Sequence, residues 1–102
     1  MKANVYFTRE ITSEKVVELY RALGVELPGK VAVKVHSGEK GNQNFLRPEF
    51  WRPMVEAVHG TVVECNTAYG DAAGGVRDHT ESHRRLLEEH GWTKYFNVDL
   101  MD

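Results

Sequence analysis

Four short runs rich in β-branched and aromatic residues alternate with three stretches of helical periodicity, and that order leaves few folds open. The runs are Asn4–Thr8, Val31–His36, Thr61–Asn66 and Tyr95–Asp102. In the first helical stretch Thr12 or Ser13 can cap the N-terminus, Glu14 suits the first turn, and Val16, Val17, Leu19, Tyr20 and Leu23 share a face before Gly24 stops it. The second begins at Arg47-Pro48-Glu49, where the missing N–H of Pro48 is harmless, and carries Phe50, Trp51, Met54, Val55 and Val58 on one side up to Gly60. Pro53 inside it removes a hydrogen bond and crowds the preceding turn, which predicts a kink or restart near Arg52. The third runs from about Asp78 to His90, with Leu86 and Leu87 continued upstream by His83, and ends at Gly91. Such alternation predicts an α/β fold of order β-α-β-α-β-α-β, a mostly parallel four-stranded sheet with right-handed crossovers.

A chain of 102 residues with 41% hydrophobic and 27% charged residues suffices for one domain spanning 1–102. The formal charge of −2, with cations scattered among acids, gives no footprint for nucleic acid. No apolar run approaches the roughly 20 residues that span a bilayer, and the start reads as a strand and not a signal peptide, so no membrane partner and a cytoplasmic location are expected. Cys65, the single cysteine, cannot hold an iron–sulfur cluster by itself and is expected as a small buried hydrophobe.

Chemistry concentrates where the second strand leaves its apolar pattern. Val31, Val33 and Val35 alternate with Ala32, Lys34 and His36, and the strand runs into Ser37-Gly38-Glu39-Lys40-Gly41-Asn42. In an open α/β sheet, ligands bind beyond the carboxyl ends of the strands. Applied to every strand, period two puts Asn4, Tyr6, Thr8, Lys34, His36, Glu64, Asn66, Asn97 and Asp99 on one polar face. Three readings account for it: a Lys34–Glu64 pair across neighbouring strands, a ligand or metal site, or a face covered by another chain or by a further part of a larger domain.

Neither this loop nor Thr67–Gly75, which contains Tyr69 and leaves the same end, matches the phosphate-loop or dinucleotide fingerprints. A glycine-rich loop feeding a helix can still hold an anion, with Lys40 or Arg47 assisting. His79 and His83 are four apart, and with His36, and with Glu39 and Asp71 nearby, they form a candidate site for a divalent metal. His79-Thr80-Glu81-Ser82-His83 is not the zinc-protease pattern, because its glutamate is one place late. His59 and His90 precede glycines at helix ends, where an imidazolium suits the dipole.

Val5-Tyr6-Phe7-Thr8, Lys34-Val35-His36-Ser37-Gly38-Glu39-Lys40-Gly41-Asn42, Phe45-Leu46-Arg47-Pro48, Val63-Glu64-Cys65-Asn66-Thr67-Ala68-Tyr69-Gly70 and Val98-Asp99-Leu100-Met101-Asp102 together resemble the N-terminal part of the DUF362 family of uncharacterised proteins. The resemblance implies a redox or cofactor context, because longer members often carry ferredoxin-like cysteine motifs for 4Fe–4S clusters. It also implies that these residues form the N-terminal portion of a larger domain, with any cluster held by a further region or a partner. It supplies no established catalytic residue.

The expected function is therefore a ligand- or metal-binding module. Catalysis, if present, would fall to His36 as acid, base or ligand, with Lys34 and Glu39 as charge partners. Ser37, Gly38, Lys40, Gly41, Asn42, Glu64, Asn66 and Tyr69 would bind a small or anionic ligand, and His83 would contribute from the third helix. The alternative is an interaction module that docks a partner or forms a homo-oligomer through its polar face or an open sheet edge.

Overall fold

The computed structural model describes residues 1–102, the side chain of Asp71 excepted, so the proposed role of Asp71 near a metal lies outside the described residues. Three helices, α1 (Ser13–Ala22), α2 (Pro48–Ala57) and α3 (Thr80–Glu89), combine with three strands, β1 (Ala32–Lys34), β2 (Thr61–Cys65) and β3 (Asp99–Met101). The sheet is parallel throughout, in the order β1-β2-β3, so the two central crossovers are consecutive and adjacent.

Both α2 and α3 pack on one face of this sheet. Val33, Val35, Val62 and Val98 meet Trp51 and Val55 from α2 and Leu87 from α3, with Phe45, Trp92 and Phe96 closing the margin. Trp92 is 0% exposed, and its burial anchors the short 3-10 turn Trp92–Lys94 to the core. Burying a side chain of this kind contributes about 1.5–3 kcal/mol. The opposite face presents Ala32, Lys34, Thr61, Cys65, Asp99 and Met101 to solvent around a buried Val63.

Four expectations need correction. The sheet has three strands and not four, because Asn4–Thr8 makes no ladder; Val5 and Phe7 are 87% and 79% exposed. The run from Tyr95 to Asp102 is a strand only at its end: the carbonyl of Trp92 accepts from the N–H groups of Tyr95 and Phe96, which turns the chain before β3 can start. Helix α2 continues through Pro53 and does not restart near Arg52, and the carbonyl that Pro53 cannot serve belongs to exposed Glu49. The shared polar face also dissolves. Register pairs Lys34 with Val63 and Val63 with Asp99, whereas Glu64 lies opposite Leu100 in the next row, so Glu64 points to the helix-covered side.

The first helix follows its sequence closely. Thr12 is the N-cap and its side chain accepts from the Lys15 amide at 3.2 Å. Its buried Val17 faces α2, across a groove lined by Arg21, Pro53 and Ala57.

Candidate functional site

The pairing of β1 with β2 ends at Lys34 and Val63, and just beyond it charged side chains take over from the ladder. Val35 still donates to the carbonyl of Val63 at 3.2 Å, but its own carbonyl accepts from the Lys34 Nζ at 2.6 Å. The Glu64 carboxylate folds back into the opening. Its Oε1 accepts from Lys34 Nζ at 2.5 Å and from the Cys65 amide at 2.9 Å, and its Oε2 accepts from the Ser37 amide at 2.8 Å. One buried carboxylate thereby replaces the strand-to-strand bonds where the strands part. Burial alone would raise the pKa of Glu64, but Lys34 and the Cys65 and Ser37 donors hold it down to about 2.

The two loops are cross-tied by Arg77, which no sequence pattern singled out. Its Nε donates to Glu39 Oε2 at 3.0 Å, and its Nη1 lies 3.6 Å from Glu64 Oε2. Glu39 Oε1 accepts from the amides of Val76 and Lys40, each at 3.0 Å. Burial works against the Glu39 charge, yet the Lys40 amide, Arg77 and the Val76 amide together hold its carboxyl below the usual range. A guanidinium with its side chain only 10% exposed requires such partners.

Deeper in, one ring joins three elements. His83 of α3 shares hydrogen bonds with Ser37 Oγ through Nε2 at 2.9 Å and with Asn66 Oδ1 through Nδ1 at 3.1 Å. Because Asn66 Oδ1 can only accept, Nδ1 carries the proton and Nε2 accepts from the Ser37 hydroxyl. Asn66 Nδ2 in turn donates to Thr80 Oγ1 at 2.9 Å at the start of α3. Burial lowers the His83 pKa, with the nearby Glu64 charge pulling the other way, and the ring is neutral at ordinary pH. Ser37 has the partners of a nucleophile but is 0% exposed, and its carbonyl also accepts from His90 Nδ1 at 2.9 Å and Trp92 Nε1 at 3.0 Å. These bonds make Ser37 a fastening point between the loop and the end of α3. His90, expected at a helix end, is the C-cap of α3 and also stacks on Phe45 with ring centroids 4.5 Å apart.

His36 lies at the mouth of this group, exposed. Its Nδ1 accepts from the Gly38 amide at 3.0 Å, and its Nε2 lies 3.3 Å from Arg77 Nη2. Gly38 is obligatory there: its φ is +85°, and a Cβ would come within 2.5 Å of the Phe45 ring.

The remaining candidates are less central. Asn42 accepts from the Asn44 amide at 2.8 Å and shapes its own loop. Lys40 and Gly41 are exposed, and Tyr69, 49% exposed, packs beside Gly75. His79 is the N-cap of α3, with an extended backbone and a side chain 77% exposed, so it and the buried His83 do not share a helix face. Among the described residues, no three His, Cys, Asp or Glu side chains converge to hold a metal ion. Cys65, expected to be buried, is exposed on the uncovered sheet face, because its neighbour Glu64 takes the inward position.

Fold and site together define a parallel α/β domain with a charged cluster closing the carboxyl end of its sheet. The family described as "Domain of unknown function (DUF362)" matches residues 31–100, which covers β1 through most of β3, and the chain belongs to that family. No curated protein and no solved structure matches it. No helix among the described residues is long and apolar enough to cross a membrane.

Proposed function

We propose that the chain is a ligand-binding α/β module whose site is the mouth formed by Lys34, His36 and Arg77, and that its ligand carries a carboxylate or phosphoryl oxygen. The observation that carries this reading is the contact between His36 and Arg77. With Nδ1 accepting from Gly38, the neutral ring has its proton on Nε2, so His36 Nε2 and Arg77 Nη2, 3.3 Å apart, are both donors and neither satisfies the other. Two converging donors suit an acceptor that bridges them, and a ligand oxygen does so with charge assistance from Arg77. Lys34 uses two of its three ammonium hydrogens on Glu64 and Val35, and its side chain is 55% exposed, which leaves one donor free. Glu39 and Glu64 neutralise the cations in the ground state and keep the site from being a bare positive patch. If the module is catalytic, His36 is the group placed to exchange a proton with the bound ligand, while Lys34 and Glu39 set the local charge.

A divalent metal is the competing occupant, but His36 is the exposed imidazole at this mouth and both carboxylates are already held by cations. The test is an NMR titration of the histidine rings with inorganic phosphate, and separately with zinc. The anion reading expects a saturable shift at His36 under phosphate that is absent at His59 and is lost in Lys34→Gln. Phosphate shifts of equal size at His36 and His59 would sink it, and saturable zinc binding at His36 without a phosphate response would put a metal there instead.

A further inference from the structure

The N-terminal segment carries a strand pattern that the chain's own sheet does not use. Among the described residues the backbone of Asn4–Thr8 bonds to no other segment, and its one polar contact is local, between Thr8 and Glu10. Tyr6, Phe7 and Thr8 lie along Lys15, Glu18, Leu19 and Ala22 of α1, while Val5, Phe7 and Ile11 are 87%, 79% and 81% exposed. The molecule is correspondingly long, 47 × 29 × 28 Å, with a radius of gyration of 15.4 Å where a compact chain of this size has about 13 Å.

The sheet has a matching vacancy in its hydrogen bonding. Thr61 donates to the carbonyl of Val31 and Val35 donates to that of Val63, so the odd-numbered residues of this strand face β2. Ala32 and Lys34 turn their amides to the free edge of β1. Topology says which strand fits that edge. The steps β1-α2-β2 and β2-α3-β3 move in one direction across the sheet with both helices on one face, and α1 already packs against α2. A right-handed crossover through α1 places the strand that precedes it beside β1, parallel to it.

We propose that this edge is filled by Asn4–Thr8 of a second copy, in a reciprocal exchange of N-terminal arms hinged at Arg9–Ile11. A second copy is the occupant because the arm lies outward along α1 and leaves its own edge free, and reciprocal exchange closes the assembly with two identical added strands. Each added strand satisfies one β1 edge and covers the apolar side chains that the single copy exposes.

The test is sedimentation equilibrium of the full chain from low micromolar to several hundred micromolar, read against the 11.6 kDa of one copy. The expected result is a dimer mass at the upper end. Ala32→Pro deletes an amide on the free edge without touching the bonds to β2, and is expected to weaken the dimer roughly a hundredfold, because each of the two edges loses about one hydrogen bond. Phe7→Lys, in an arm outside the core, is expected to abolish it with the helical circular dichroism unchanged, which keeps the test decisive should Ala32→Pro disturb the strand. A single-copy mass at every concentration, or a dimer indifferent to Phe7→Lys, would overturn the proposal.

Discussion

The carboxyl end of the sheet and the N-terminal arm use the same ingredients, a β-branched run followed by polar residues, and meet opposite fates. At the sheet end, Val35 is 2% exposed and the polar groups that follow are bonded to one another: Glu64 to two amides and an ammonium, Arg77 to two carboxylates, His83 to a hydroxyl and an amide. In the arm, Val5 and Phe7 have strand propensity but no ladder, and both stay largely exposed although Phe7 lies along α1. Propensity becomes a strand only where long-range partners are supplied, and here they come from β2 and from the residues that close its end.

The sharpest way to break this contrast is to remove the carboxylate that the sheet end is built around. Glu64→Ala leaves Arg77 and Lys34 with lost charge partners and the Ser37 and Cys65 amides without acceptors, and is expected to cost about 3–5 kcal/mol in urea denaturation. Acid acts on the same group more gradually. The folded pKa of Glu64 is about 2, below its unfolded value of 4.5, so the native state binds fewer protons and stability falls as pH drops through that interval, by about 3 kcal/mol in all. His83 adds to the loss from higher pH: its folded pKa is also depressed, so the unfolded chain gains a proton first and stability begins to fall below about pH 6.5. Denaturation midpoints measured from pH 7 to pH 3 check both, and a flat profile would contradict the assigned bonding.

Gly38→Ala sharpens the comparison at the backbone. It forces a side chain into a positive φ and against Phe45, and should cost about 1–3 kcal/mol, read as a shift in thermal midpoint. The smallest effect belongs to the arm. Phe7→Ser, measured on dilute single copies, should change stability by no more than about 0.5 kcal/mol, because the ring is largely in water before and after.

Much of this architecture is legible in the residues. Thr12 as a cap and the apolar faces of the three helices follow from local chemistry, as does the adjacency of Lys34 and Glu64, which the structure makes an ion pair. The fourth strand is misread because its alternation is real while its partner is not in the chain's own sheet. The common polar face fails for a subtler reason: period two assigns alternation within a strand, but the relative register of two strands is set by their connections, and here it offsets Lys34 from Glu64 by one row. Arg77 and the inward turn of His90 are invisible in sequence because a lone arginine in a glycine-rich segment carries no spacing signal. His83 was legible as a helix-face residue, but its partners Ser37 and Asn66 lie 46 and 17 positions away.

Amide hydrogen exchange on the full chain, at a concentration low enough for single copies to dominate, tests the central contrast most directly. The bonding described here predicts that the amides of Ser37, Cys65 and Val76, held by Glu64 and Glu39, exchange only through opening of the whole sheet, while residues 4–8 exchange at the rate of an unstructured chain. Fast exchange at Ser37 and Cys65, on the timescale of the arm, would show that the carboxylate cluster does not close the end of the sheet and would contradict the account.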